Sequence, residues 1–126
     1  MTIHVHDLMP MFTARSGERL IRYENIWQRK NLLLVSVPSG DATAAEYVRS
    51  LNALEPELDA FDAVLVVTET PIEGIPRPGV VVADRWGEVY YVDEADRTSD
   101  LPAAGDLIEW LQYVRNECPE CQGETR

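Results

Sequence analysis

Residues 32 to 37, "LLLVSV", make a near-continuous apolar run of strand length, and two more follow at 63 to 68, "AVLVVT", and 79 to 84, "GVVVAD". Runs of this kind, without polar alternation, predict strands buried on both faces rather than strands with one wet side. The third run passes through "RWGE" into "VYYV" at 89 to 92, which predicts a hairpin closed at Gly87. Between the first two runs, Ala44, Ala45, Tyr47, Val48, Leu51 and Leu54 recur at helical spacing. They predict an amphipathic helix, with Thr43 and Glu46 as the capping box at its start. A last helix is expected over residues 104 to 117, where Leu107, Ile108, Leu111 and Val114 share one stripe that should cover a sheet face.

Upstream, "GERLIRY" reads as a short strand or hairpin and "ENIWQRK" as a helical turn before the first buried strand. The order is then strand, helix, strand, hairpin, helix. A right-handed crossover makes the first two buried strands parallel neighbours, and the hairpin adds antiparallel strands to the same sheet. The fold class that follows is α/β, a single mixed sheet flanked by helices with an N-terminal hairpin extension.

With 126 residues, 14.2 kDa and 45% apolar side chains, the chain has the material for one core. One domain over residues 1–117 and a C-terminal tail over 118–126 are expected. The formal charge of −11, from 22 acidic against 11 basic side chains with the arginines scattered singly, argues against nucleic acid or an anionic membrane as partner. No apolar run is long enough to span a bilayer, and "MTIHVHDLMPMF" lacks the features of a secretory leader, so a cytoplasmic protein is expected. The absence of a Gly-rich loop argues against nucleotide binding. Trp27, Trp86 and Trp110 read as packing residues, and the acidic runs "EPELD" and "DEADRTSD" as solvated loops.

This element order resembles the thioredoxin fold, and two stretches narrow the resemblance to its redoxin and peroxiredoxin-like branch. "DLMPMFTARSGERLIRYENIWQRKNLLLVSVP" is similar to a redoxin N-terminus, with Pro10 and Phe12 opening the hairpin before the first core strand. "IPRPGVVVADRWGEVYYV" resembles the family's proline, strand, Asp, turn and Gly, with Pro78, Asp84 and Gly87 in those places. The resemblance implies a cis proline facing the site, for which Arg77–Pro78 is the first candidate and Ile75–Pro76 the second. It also implies a thiol at the junction of first strand and helix, and there the sequence departs from it. Where a peroxiredoxin carries Pro-x-x-x-Thr-x-x-Cys, this chain has Pro38, then Ala42 and Ala45, or Thr43 and Glu46 in a register slipped by one. Neither register supplies a thiol, so the loop of Ser39, Asp41 and Thr43 reads as a degenerate site. An oxygen nucleophile at Ser39 or Thr43 would need a partnered base, and the only histidines, His4 and His6, lie in the N-terminal segment. Asp41 and Thr43 therefore read as capping and loop residues.

The only thiols, Cys118 and Cys121, form a C-x-x-C in "NECPECQG". Three uses compete. The pair can act as a redox dithiol, making Cys118 and Cys121 the catalytic residues. It can be half of a zinc site completed by His4 and His6, if "IHVH" is a strand that projects both to one face, or by the same pair of a second copy. It can also be a structural tail. The negative end of the preceding helix and Glu117, Glu120 and Glu124 oppose thiolate formation, which a bound cation would reverse. The expected function is a redoxin-like protein with a degenerate main site, any thiol–disulfide chemistry resting on the CPEC pair. The alternative is a non-catalytic scaffold that binds a protein partner, with CPEC holding zinc or serving structure. No other cofactor is expected, a homodimer is compatible with both readings, and an active peroxiredoxin is not expected.

Overall fold

The computed structural model describes residues 2–16, 18–38 and 40–117. A hairpin of β1 (Thr13–Ser16) and β2 (Arg19–Arg22) precedes β3 (Asn31–Ser36), helices α1 (Ala42–Asn52) and α2 (Glu55–Ala60), and β4 (Ala63–Thr68). Strands β5 (Gly79–Ala83) and β6 (Val89–Glu94) follow, and helix α3 (Ala104–Glu117) ends the described chain. The four-stranded sheet has the order β4-β3-β5-β6, and β1 with β2 forms a separate two-stranded sheet. Strands β3 and β4 are parallel, from Asn31 beside Ala63 to Ser36 beside Thr68, while β5 runs antiparallel to β3 and β6 to β5. Parallel neighbours and an added antiparallel hairpin are what the order of elements predicts.

Strand β3 decides how the rest packs. Leu32, Leu33, Leu34 and Val35 are all fully buried, and alternation sends their side chains to opposite faces. Leu33, Val35 and Val37 meet Leu51 of α1, Leu58 of α2 and Leu107, Leu111 and Val114 of α3. Leu32 and Leu34 meet Tyr23, Ile26, Val66, Val81 and Val89, with Ile3 and Met9 of the N-terminal segment. Each buried leucine or valine contributes roughly 1.5–3 kcal/mol, so both faces require a cover, helices on one side and the N-terminal third on the other. Two of the tryptophans serve packing: Trp110 stacks on Tyr91 at 4.8 Å, and Trp27, packed under the sheet, donates its indole N–H to the Trp86 carbonyl at 3.1 Å, whereas the Trp86 side chain is exposed, against expectation.

Three expectations are corrected. The N-cap of α1 is Asp41, not Thr43: Asp41 has extended backbone and its carboxylate accepts the Thr43 N–H at 2.9 Å. Thr43 therefore lies inside the helix, two residues past the cap position that the Thr43–Glu46 box requires. "EPELD" is not a loop but part of α2, with Pro56 in the first turn, where its missing N–H costs nothing, and Leu58 inserted in the core. Strand β4 is not buried on both faces throughout. Val64, Leu65 and Val67 are half-buried, because β4 lies at the sheet's edge.

The β5–β6 turn is held by one buried carboxylate. Asp84 Oδ1 accepts the N–H groups of Trp86 and Glu88, both at 2.9 Å, and Gly87 turns the chain at φ +88°. Burial pushes the Asp84 carboxyl above its ordinary value, against the lowering effect of the Glu88 and Trp86 N–H groups. The neighbouring Tyr23 phenol, also buried and facing that charge, is pushed up to about 12. Asp84→Ala strands both N–H groups and should cost about 2 kcal/mol or more, whereas Asp84→Asn keeps an acceptor oxygen in place and should cost less. A carboxyl whose folded pKa is raised contributes stability below its unfolded pKa and loses it as pH rises through the folded value. Urea unfolding of wild type and Asp84→Asn should therefore shift in the wild type's favour as pH falls from about 7 to about 4.

Candidate functional site

Strand β3 hands over to α1 through a short polar bend. The Val37 N–H donates to the Thr68 carbonyl at 3.0 Å, Pro38 follows, and Gly40 takes φ +76°, the left-handed conformation that glycine adopts without strain. Asp41 then caps α1. Opposite this bend lies the loop before β5, where the Arg77–Pro78 peptide bond is cis. Between them a cavity of about 450 Å³ is lined by Pro38, Asp41, Thr43 and Pro78, closed by Arg97 and Thr98. The structure thus brings together Asp41 and Thr43 from one stretch of sequence and Pro78 from another. Pro76 does not line this cavity: it is buried against Gly79, where any Cβ would collide with the Pro76 carbonyl. Ser39 lies outside the described residues.

The electrostatics of the cavity centre on Asp41. Its Oδ1 accepts the Thr43 N–H, and its Oδ2 accepts the hydroxyl of Thr98 at 3.1 Å. A carboxylate thus occupies the positive end of the α1 dipole. Arg97, at the rim, pairs with Asp100 at 3.5 Å. Tyr47, one turn further along α1, donates its hydroxyl to the Pro102 carbonyl at 2.7 Å. Its phenol is pushed well above the ordinary value, first by burial and then by Tyr91 and Asp93. It is a neutral donor, not a base.

His4 and His6 do not reach this cavity. Residues 2–6 form no strand; the chain turns at Val5 and His6, and His6 has φ +77°. The His6 N–H donates to the Val89 carbonyl, and Val89 pairs with Ala83, at the opposite end of β5 from Gly79 and Pro78. Each histidine faces its own carboxylate, Asp7 at 3.7 Å from His4 and Glu88 at 2.9 Å from His6. The one-face arrangement of a strand is therefore absent. Among the described residues no group of three or more His, Cys, Asp or Glu side chains could hold a metal ion. Cys118 and Cys121 lie outside the described residues.

Sequence reasoning missed Thr98 and Arg97, which belong to the acidic run taken for a solvated loop. Thr98 is 4% exposed and sits in a single 3₁₀ turn. Its partner Asp41 is 57 residues away, and no local pattern announces a bond of that span.

No family model matches the chain, and no curated protein does. Solved structures do resemble it. The reduced 2-Cys peroxiredoxin of Plasmodium vivax superposes with a TM-score of 0.75 over 96% of this chain and 86% of its own, at 12% identity. A yeast mitochondrial 1-Cys peroxiredoxin gives 0.74 over 97% and 80% at 11% identity, and Mycobacterium tuberculosis AhpC gives 0.67 over 94% and 97% at 10% identity. At such identities the likeness is one of architecture. The chain has the thioredoxin-like fold in the form that peroxiredoxins adopt.

Proposed function

We propose that this protein binds a polypeptide partner on a thioredoxin-like scaffold and performs no peroxide chemistry at the junction of β3 and α1. The observation that carries this reading is the Asp41 carboxylate at the start of α1, held by the Thr43 N–H and the Thr98 hydroxyl. The positive end of a helix stabilises an anion within its first turn, and here that anion is already a side chain. A thiolate beside it would face a like charge instead of an open dipole. Pro38, Ala42 and Ala45 supply no nucleophile, and Tyr47 supplies no base. What remains is a shaped, polar cavity beside a cis proline, suited to contact without turnover.

A second reading rests on the spacing of the C-terminal thiols. Cys118 and Cys121, separated by Pro119 and Glu120, have the separation of a dithiol that closes to a disulfide, and they would then be the catalytic pair. In the zinc alternative the same thiols bind metal with His4 and His6, which would have to leave Asp7 and Glu88, or with the pair of a second copy in a homodimer. On either version the domain is residues 1–117 and the tail 118–126. Among the described residues no helix is long and apolar enough to cross a membrane. The proposed setting is the cytoplasm, whose reducing poise keeps such a pair as free thiols or metal ligands.

Peroxide consumption by the purified full chain, with a thiol reductant supplied, should not exceed the protein-free rate. Turnover that is lost in Cys118→Ser or Cys121→Ser would place catalysis in the tail. Turnover that survives in both would reveal a non-thiol mechanism and overturn the account of the junction. Titration in graded redox buffers separates the uses of the tail. A reversible two-electron couple between about −180 and −300 mV supports the dithiol, and stoichiometric zinc in protein purified without chelator supports the metal site.

Removing the cap itself should be costly. Asp41→Ala should lower unfolding stability by about 1–2 kcal/mol, while Asp41→Asn retains most of it; denaturant unfolding at neutral pH measures both.

A further inference from the structure

Strand β4 ends the sheet, so one row of its backbone groups faces away from β3. Among the described residues no N–H of Ala63–Thr68 donates to a backbone group beyond the sheet's own ladder. The strand reads "AVLVVT", six residues without charge or proline, and natural proteins cover or blunt edges of this kind. This one is neither blunted nor flat. It forms the floor of a groove of about 830 Å³ that opens, at its upper end, onto Pro38 and Asp41 of the junction. One wall is the β1–β2 hairpin, through Arg15 and Arg19; the other is α1 and α2, through Val48, Glu55 and Asp59.

We propose that this groove takes one extended segment of a partner protein as an added strand beside β4. The inference rests on the binding reading and gives its partner a chemistry. A second copy of this chain does not suit the site. The β4 strand of a second copy, AVLVVT, has no charged side chain to meet the walls, and the copies carry −11 each. A single strand can enter. Along six residues, about 20 Å of strand, its side chains alternate between the two walls.

The walls differ in charge. Val64 and Val66 face the layer that contains the hairpin's Ile21, whereas Ala63, Leu65 and Val67 face the helices. An added strand continues both faces, so every second side chain meets the hairpin wall. There Arg15 and Arg19 are exposed, and neither forms an ion pair among the described residues. The intervening side chains meet Val48 and then Glu55 and Asp59, which are likewise exposed and outside every such ion pair. The partner is therefore a strand with carboxylates on one face and apolar followed by basic side chains on the other.

The probe is a fluorescein-labelled peptide in which Glu alternates with Val and then Lys, compared with a peptide of the same composition whose Glu residues are clustered. Fluorescence anisotropy with the full chain at low ionic strength should show the alternating peptide binding roughly tenfold tighter. Hydrogen exchange should slow at the outward N–H groups of β4 by a similar factor when that peptide is present. The double variant Arg15→Glu, Arg19→Glu should weaken binding at least about tenfold with its unfolding midpoint unchanged, since both side chains are exposed. Equal affinity for the two peptides, no detectable binding, unchanged exchange at β4, or binding indifferent to the double variant each overturns the groove. A peptide that binds while protecting only residues around Pro78 and Thr98 would overturn it too, yet leave the wider binding reading standing.

Discussion

The constraint on which this molecule depends is that β3 is wet on neither face. Burying Leu32, Leu33, Leu34 and Val35 completely demands two apolar layers, and the chain supplies them from different places. The helices α1, α2 and α3 come from the middle and the end of the described sequence, and Ile3, Met9, Tyr23 and Ile26 come from its start. The crossover that delivers α1 to one face is what makes β4 a parallel neighbour. The same geometry sets the carboxyl end of β3 against the start of α1 and the cis Arg77–Pro78 bond. The candidate site is thus a by-product of covering one strand on both sides.

How much of this the sequence discloses follows from the range of each signal. Strand β4 at 63–68 and helix α3 at 104–117 have the bounds that their patterns predict, because a full apolar run and a four-membered stripe are local and redundant. Helix α2 was hidden by its own charge: four of its six residues are polar or proline, and Leu58 alone anchors it. The cap of α1 was misplaced by two residues because Asp41 and Thr43 are both good caps, and only backbone geometry chooses between them. The edge position of β4 was illegible for another reason. An edge strand with recessed sides reads in sequence like a central one, since hydrophobicity reports burial and not which side of the strand lacks a neighbour.

At the site, sequence showed what was missing and structure showed what took its place. The chain has no thiol between Pro38 and Glu46, where the resemblance implies one. The structure adds that the helix terminus is not vacant. Asp41 fills it, and Thr98, drawn in from a distant turn, fixes the carboxylate from the other side. A fold that elsewhere uses the start of a helix to sustain an anion still does so here, with a fixed carboxylate as the anion. On the proposed reading, that carboxylate serves the stability of the helix start and the shape of the cavity.

The most direct test returns a thiol to the place from which it is absent. In a Cys118→Ser, Cys121→Ser background, Ala45→Cys introduces a lone thiol on the first turn of α1, and the pH dependence of its alkylation rate gives its pKa. If Asp41 already occupies the helix terminus, that thiol should titrate at or above the ordinary value of about 8.5. A pKa depressed to about 6.5 or below would show that the dipole still activates a thiolate at this junction, and the account of Asp41 as its resident anion would be wrong.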